Sequence, residues 1–110
     1  MDLAEQKCEP CAAGGTPLSA REAEELFREV PKWSLKEKSI ERELRFKDFS
    51  QAMDFVNKIA AVAEEEGHHP DIFISYNRVR LSLSTHKIGG LSRNDFILAA
   101  KIDRLPDQPA

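Results

Sequence analysis

The stretch Asp71-Ile72-Phe73-Ile74-Ser75-Tyr76-Asn77-Arg78-Val79-Arg80-Leu81-Ser82-Leu83-Ser84-Thr85-His86 decides the fold. Its side chains alternate with a period of two, the pattern of strands that bury one face. Ile72, Ile74 and Tyr76 share one face of the first run, and Phe73 and Ser75 take the other. A tight turn around Asn77-Arg78 follows. Beyond it Val79, Leu81, Leu83 and Thr85 face one way, with Arg80, Ser82, Ser84 and His86 facing the other. The stretch therefore predicts an antiparallel hairpin. It also gives His86 the parity of the polar face at a strand end, so His86 is not a core histidine by pattern.

Immediately upstream lies Glu64-Glu65-Glu66-Gly67-His68-His69-Pro70. Asp48 reads as the N-cap of a long helix, with Gln51 three residues later. Phe49, Ala52, Met53, Val56, Ile59, Ala60 and Ala63 form its apolar stripe, and Gly67 terminates it. Pro70 sets the chain's exit and biases His69 toward an extended conformation. The protein's 3 histidines all fall in this segment and in Ser84-Thr85-His86. Imidazole changes charge near neutrality, so this clustering points to proton chemistry or a metal. Three acids in the last helical turn run against the negative end of the helix dipole, a local misfit of the kind found at functional sites. Glu64, four residues before His68, can share a helix face with it.

Further out, Ser19 and Glu22 form a capping box for a helix over about residues 20–29, stopped by Pro31. Trp33 and Leu35, then Ile40, Leu44 and Phe46, alternate with polar residues. They predict a strand pair joined near Glu37-Lys38, with a lapse at Arg42. Trp33 is most simply a core residue, and a substrate-facing role is the sharper alternative. Downstream of the flexible link Lys87-Ile88-Gly89-Gly90, Ser92 and Asp95 form a second capping box, and Leu91 can staple against Phe96. The order α-β-β-α-β-β-α implies an α+β fold, a four-stranded antiparallel sheet with three helices on one face.

The 110 residues suit one domain with a single core. We expect a flexible N-terminal tail over 1–17, one domain over 18–106 and a short C-terminal tail over 107–110. With 16 Lys and Arg scattered among 19 acids and a net charge of −3, there is no electrostatic footprint for nucleic acid. No apolar run approaches membrane-spanning length, no secretory signal is visible, and a cytoplasmic location is the simplest expectation. Cys8-Glu9-Pro10-Cys11 lacks the strand-helix context of a redox motif and supplies two thiols where a structural zinc site needs four ligands. It reads as part of a functionally silent tail. A bridging metal shared by two chains is the alternative.

The runs Phe46-Lys47-Asp48-Phe49, Glu64 with Gly67-His68-His69-Pro70, Tyr76-Asn77, Leu83-Ser84-Thr85-His86 and Gly90-Leu91-Ser92-Arg93-Asn94-Asp95 together resemble the pterin-4a-carbinolamine dehydratases, bacterial type, over about residues 18–105. The resemblance implies a lyase that dehydrates 4a-hydroxytetrahydrobiopterin to the quinonoid dihydropterin, recycling the tetrahydrobiopterin used in aromatic amino acid hydroxylation. It implies His68, His69 and His86 as catalytic residues. The pterin site would comprise Glu64, Gly67, His68, His69, Ser84, Thr85 and His86, with Asp95 and Trp33 in supporting positions. It implies no cofactor and no metal, a homodimer or homotetramer, and a pathway link to phenylalanine hydroxylase.

Imidazoles with an ordinary pKa of about 6.5 can supply both the acid and the base such a reaction needs. A purely structural reading would make the histidines incidental, which their clustering argues against, and two further rivals stand beside the enzyme. One is a three-histidine metal site, which would need an irregular turn to bring His68 and His69 together. The other is a protein-binding role, as dimerisation cofactor or transcriptional coactivator, using a helical surface rather than the histidines.

Overall fold

The computed structural model describes residues 2–9, 16–106 and 108–109. Helix α1 spans Ala20–Phe27, strand β1 Ser34–Leu35, β2 Ile40–Arg45, helix α2 Phe49–Glu66, β3 Asp71–Ser75, β4 Arg78–Leu83 and helix α3 Arg93–Asp103. Single 3-10 turns at Leu3–Glu5 and His86–Ile88 complete the chain. The strands form one sheet in the order β1-β2-β4-β3, with every neighbouring pair antiparallel. The fold is the α+β arrangement that the periodicities imply.

The local reasons are those of the sequence. Ser19 and Glu22 cap α1 reciprocally, and these hydrogen bonds hold the Glu22 carboxyl below the usual carboxylate range. Helix α1 stops short of the expected residue 29 because the chain tightens, with Glu29 and Val30 donating to Leu26 and Phe27. Asp48 caps α2 by accepting from the Gln51 N–H at 2.9 Å. Phe49, placed in the α2 stripe by its spacing, is 49% exposed at the first turn.

The β3–β4 register pairs Ser75 with Arg78, so the turn is Tyr76-Asn77. Tyr76, expected in the strand, sits in that turn at φ 52° and is exposed. Val79, Leu81 and Leu83 are fully buried and Thr85 nearly so, as their parity requires.

Two features escape simple periodicity. Arg42 has core-facing parity because its guanidinium meets the Asp103 carboxylate at 2.5 Å, and the same oxygen accepts from the Trp33 indole N–H at 2.9 Å. Helix α3 is buried from Asn94 through Ala100 and again at Ile102. Helices α1 and α2 and the N-terminal turn Leu3–Glu5 all pack against it. Leu3 is 2% exposed within the core cluster. Residues 2–9, expected as a loose tail, thus form a strap across α3. Cys11 lies outside the described residues.

Candidate active site

Three elements converge on the histidines. Gly67 ends α2 at φ 66°, the left-handed conformation open to glycine without strain, and its N–H and that of His68 return to Ala63 and Glu64 carbonyls. This reversal turns the His68–His69 pair away from the helix axis. At the end of β4, a bridge between Thr85 and Gly90 closes the short 3-10 turn that carries His86. The first turn of α3 supplies Asp95 from below.

His68 is held most firmly. Its Nε2 lies 2.6 Å from Asp95 Oδ1, with side-chain exposures of 12% and 0%. The other carboxylate oxygen accepts from the Thr85 hydroxyl and from the Ser92 N–H, each at 2.9 Å. Because Thr85 donates to Asp95, the Ser92 hydroxyl must donate to Thr85, 2.7 Å away. Asp95 is thus both the capping acid of α3 and the anchor of His68. A buried carboxylate held by these donors fixes the orientation of the His68 ring, as in other aspartate–histidine pairs.

His69 pairs with Glu64 at 2.7 Å, but the two side chains are 60% and 79% exposed, so the contact orients more than it stabilises. The His86 ring is exposed and has no hydrogen-bond partner among the described residues.

Gly67, His68, His69, Ser84, Thr85 and His86 all line one pocket of about 470 Å³. Glu64 stands behind His69, and Asp95 lies beneath the pocket floor. Trp33 is not brought there. It is a core residue at 2% exposure, bonded to Asp103, and its substrate-facing alternative has no support in its position. A larger hollow of about 870 Å³ near Arg45, Lys47, Lys58 and Gln108 contains no histidine.

Sequence reasoning missed the fourth wall. Cys8, Glu9, Glu66 and Asn94 also line the histidine pocket. Glu66, one of the three acids that misfit the helix dipole, accepts from the Cys8 N–H at 2.8 Å and faces Lys101 at 3.7 Å. That contact explains why an acid is tolerated there. Burial, then the nearby Glu66 charge, pushes the Cys8 thiol up to about 12. No local pattern marked Asn94, which sits between Arg93 and Asp95 in the first turn of α3.

Among the described residues, no three His, Cys, Asp or Glu side chains are grouped to hold a metal ion, and no helix is long and apolar enough to cross a membrane.

The chain matches the family described as Pterin 4 alpha carbinolamine dehydratase over residues 16–105. A relative from Nitrosomonas eutropha is 49% identical over 105 residues, covering 94% of this chain and 93% of its own. One from Rubrobacter xylanophilus is 46% identical over 105 residues, covering 94% and 98%. Both carry the name pterin-4-alpha-carbinolamine dehydratase. The crystal structure of a transcriptional coactivator/pterin dehydratase from Brucella melitensis is similar at a TM-score of 0.75 and 36% identity, covering 80% of this chain and 96% of that one.

Proposed function

Because this chain belongs to the pterin 4 alpha carbinolamine dehydratase family, we propose that its histidine pocket binds 4a-hydroxytetrahydrobiopterin and expels water from it by imidazole acid–base catalysis. The chain is an enzyme, a pterin-4-alpha-carbinolamine dehydratase. The finer reading concerns which residues do the work and which metabolic step they serve.

The substrate is a hemiaminal. Its C4a–O bond breaks as the adjacent nitrogen lone pair forms the C=N bond, the hydroxyl leaves as water after gaining a proton, and the nitrogen side loses one. One acid and one base therefore suffice, each contributing about 10²–10⁴-fold. His68 fits either task, because Asp95 occupies Nε2 and leaves Nδ1 for the substrate. His86, whose ring has no protein partner among the described residues, is suited to the complementary transfer. His69, braced by Glu64, is suited to holding the pterin. In this reading the product is the quinonoid dihydropterin, and the enzyme recycles tetrahydrobiopterin for aromatic amino acid hydroxylation.

The observation that carries the reading is the convergence of all three imidazoles on one pocket. A coactivator-like role has less support. Among the described residues the large exposed apolar side chains are Phe49, Phe73 and Tyr76, and of these Phe49 alone lies on a helix. The test is dehydration of 4a-hydroxytetrahydrobiopterin measured above its spontaneous background. Single alanine variants of His68, His69 and His86 should each be slower, with His68→Ala among the slowest. Full activity in the triple alanine variant would sink the assignment of catalysis to these residues.

A further inference from the structure

The strap formed by residues 2–9 is fastened at both ends and in the middle. Leu3 is buried beside α3, and Lys101 donates to the Ala4 carbonyl at 3.0 Å. At the pocket end the fastening is a side chain acting as a strand. Asn94 Oδ1 accepts from the Glu9 N–H at 3.0 Å, Asn94 Nδ2 donates to the Glu9 carbonyl at 2.6 Å, and the Cys8 thiol donates to the Asn94 carbonyl at 3.6 Å. Glu66 takes the Cys8 N–H. Asn94 is 7% exposed and immediately precedes Asp95, while Glu66 lies two residues before His68. The clamp and the catalytic pair are therefore mounted on the same two helix ends. The family match begins at residue 16, beyond the strap.

We propose that the strap is a substrate-binding wall of the pterin pocket, and that Asn94 is the positioning residue that holds Cys8 and Glu9 against the bound pterin. This rests on the reading of the histidine pocket as the pterin site. A disordered lead would leave that side of a 470 Å³ pocket open to water, whereas a clamped one presents fixed backbone and a small side chain to the ligand. Cys8 contributes as a neutral wall residue, and its high thiol pKa is consistent with that role rather than with nucleophilic chemistry. The proton-transfer groups hang from α2, β4 and α3 and do not need the strap for their own geometry.

These two sets of contacts predict a split in the kinetics. Replacing Asn94 by Ala in the full chain should raise KM for the 4a-hydroxypterin by about tenfold and leave kcat within about twofold, because binding contacts are lost and the acid–base groups are not. Asn94→Asp keeps the acceptor for the Glu9 N–H but loses the donor, so its KM should fall between the two. Should Asn94→Ala not fold, Glu9→Pro removes the donated N–H from the strap side and should raise KM in the same way. A strap that only stabilises the fold would lower the melting temperature and leave KM unchanged, and that result overturns the proposal, as does a fall in kcat with KM unchanged. If the wild-type chain dehydrated no pterin, the functional reading itself would fall. Normal wild-type turnover with an unmoved KM in the variants would remove the strap alone.

Discussion

His68 Nε2 and Asp95 Oδ1 are 2.6 Å apart, and the Asp95 carboxylate is entirely removed from solvent. As a capping acid alone, Asp95 would matter to stability and hardly to turnover. The bond to His68 ties it to both. Asp95→Ala strands the Thr85 hydroxyl and the Ser92 N–H in a buried site, which should cost about 1–3 kcal/mol of stability. Asp95→Asn keeps the shape but loses the charge facing the imidazole, and should slow dehydration by about tenfold or more. Melting curves and turnover of the two variants check both effects. Unchanged turnover in a well-folded Asp95→Asn protein would show that the contact is structural only.

The hairpin, α2 and both capping boxes were legible from residue order, because period and caps are local properties of the chain. His86, expected at the polar end of that strand, is exposed, but it lies past β4 in the 3-10 turn, where strand parity no longer acts. Asp95 was legible as a cap, but its bond to His68 spans 27 residues and leaves no local pattern. Arg42 read as a lapse because its partner, Asp103, lies 61 residues away. The strap was illegible on stronger grounds. Its order comes from Asn94, Glu66 and Lys101 reaching its backbone, and backbone groups carry no sequence signal.

That strap yields a second prediction. Without a periodic or capping signal, residues 1–16 read as dispensable. The burial of Leu3 in the core cluster makes residues 2–9 a stabilising element instead. Leu3→Ala should destabilise the protein by about 2 kcal/mol or more, the usual range for emptying a buried leucine site. Deleting residues 1–16 should lower the melting temperature further. Denaturant titration of both proteins against wild type decides it, and equal midpoints would restore the loose-tail view.

Glu64 and His69 offer a contrast with Asp95 and His68. Both partners of this pair are mostly in water, so the interaction is worth at most about 1 kcal/mol. Glu64→Gln should leave the melting temperature almost unchanged and alter turnover by less than about threefold. A loss as large as that of Asp95→Asn would mean that Glu64 handles a proton itself.

Cys8 gives a pH prediction. Its folded pKa is raised to about 12 from 9.0 by burial and by Glu66, so the native state favours the neutral thiol. Above the unfolded pKa the denatured chain releases this proton while the native chain keeps it. The stabilisation is therefore complete below pH 9 and fades as pH rises toward about 12. The stability difference between wild type and Cys8→Ala should be flat from about pH 7 to 9 and should shrink above that, read by chemical denaturation at each pH. A difference independent of pH through that window would mean the thiol is not held in a site that disfavours its ionisation.

The remaining test separates proton transfer from metal chemistry at the same imidazoles. A catalytic zinc needs three protein ligands whose lone pairs converge on one point. Here the Nε2 atoms of His68 and His69 already face Asp95 and Glu64, one pair largely buried and the other mostly exposed. Each of those rings could then offer a metal only Nδ1. Acid–base work makes no such demand, because donor and acceptor need only reach their own ends of the substrate. Exhaustive chelation should therefore leave the dehydration rate unchanged, and added zinc should not raise it. A metal site would give the opposite result, with activity abolished by chelator and restored by stoichiometric zinc, and His86→Ala would then lose metal together with activity. Measured beside the spontaneous reaction, that pair of experiments assigns the pocket to one chemistry or the other.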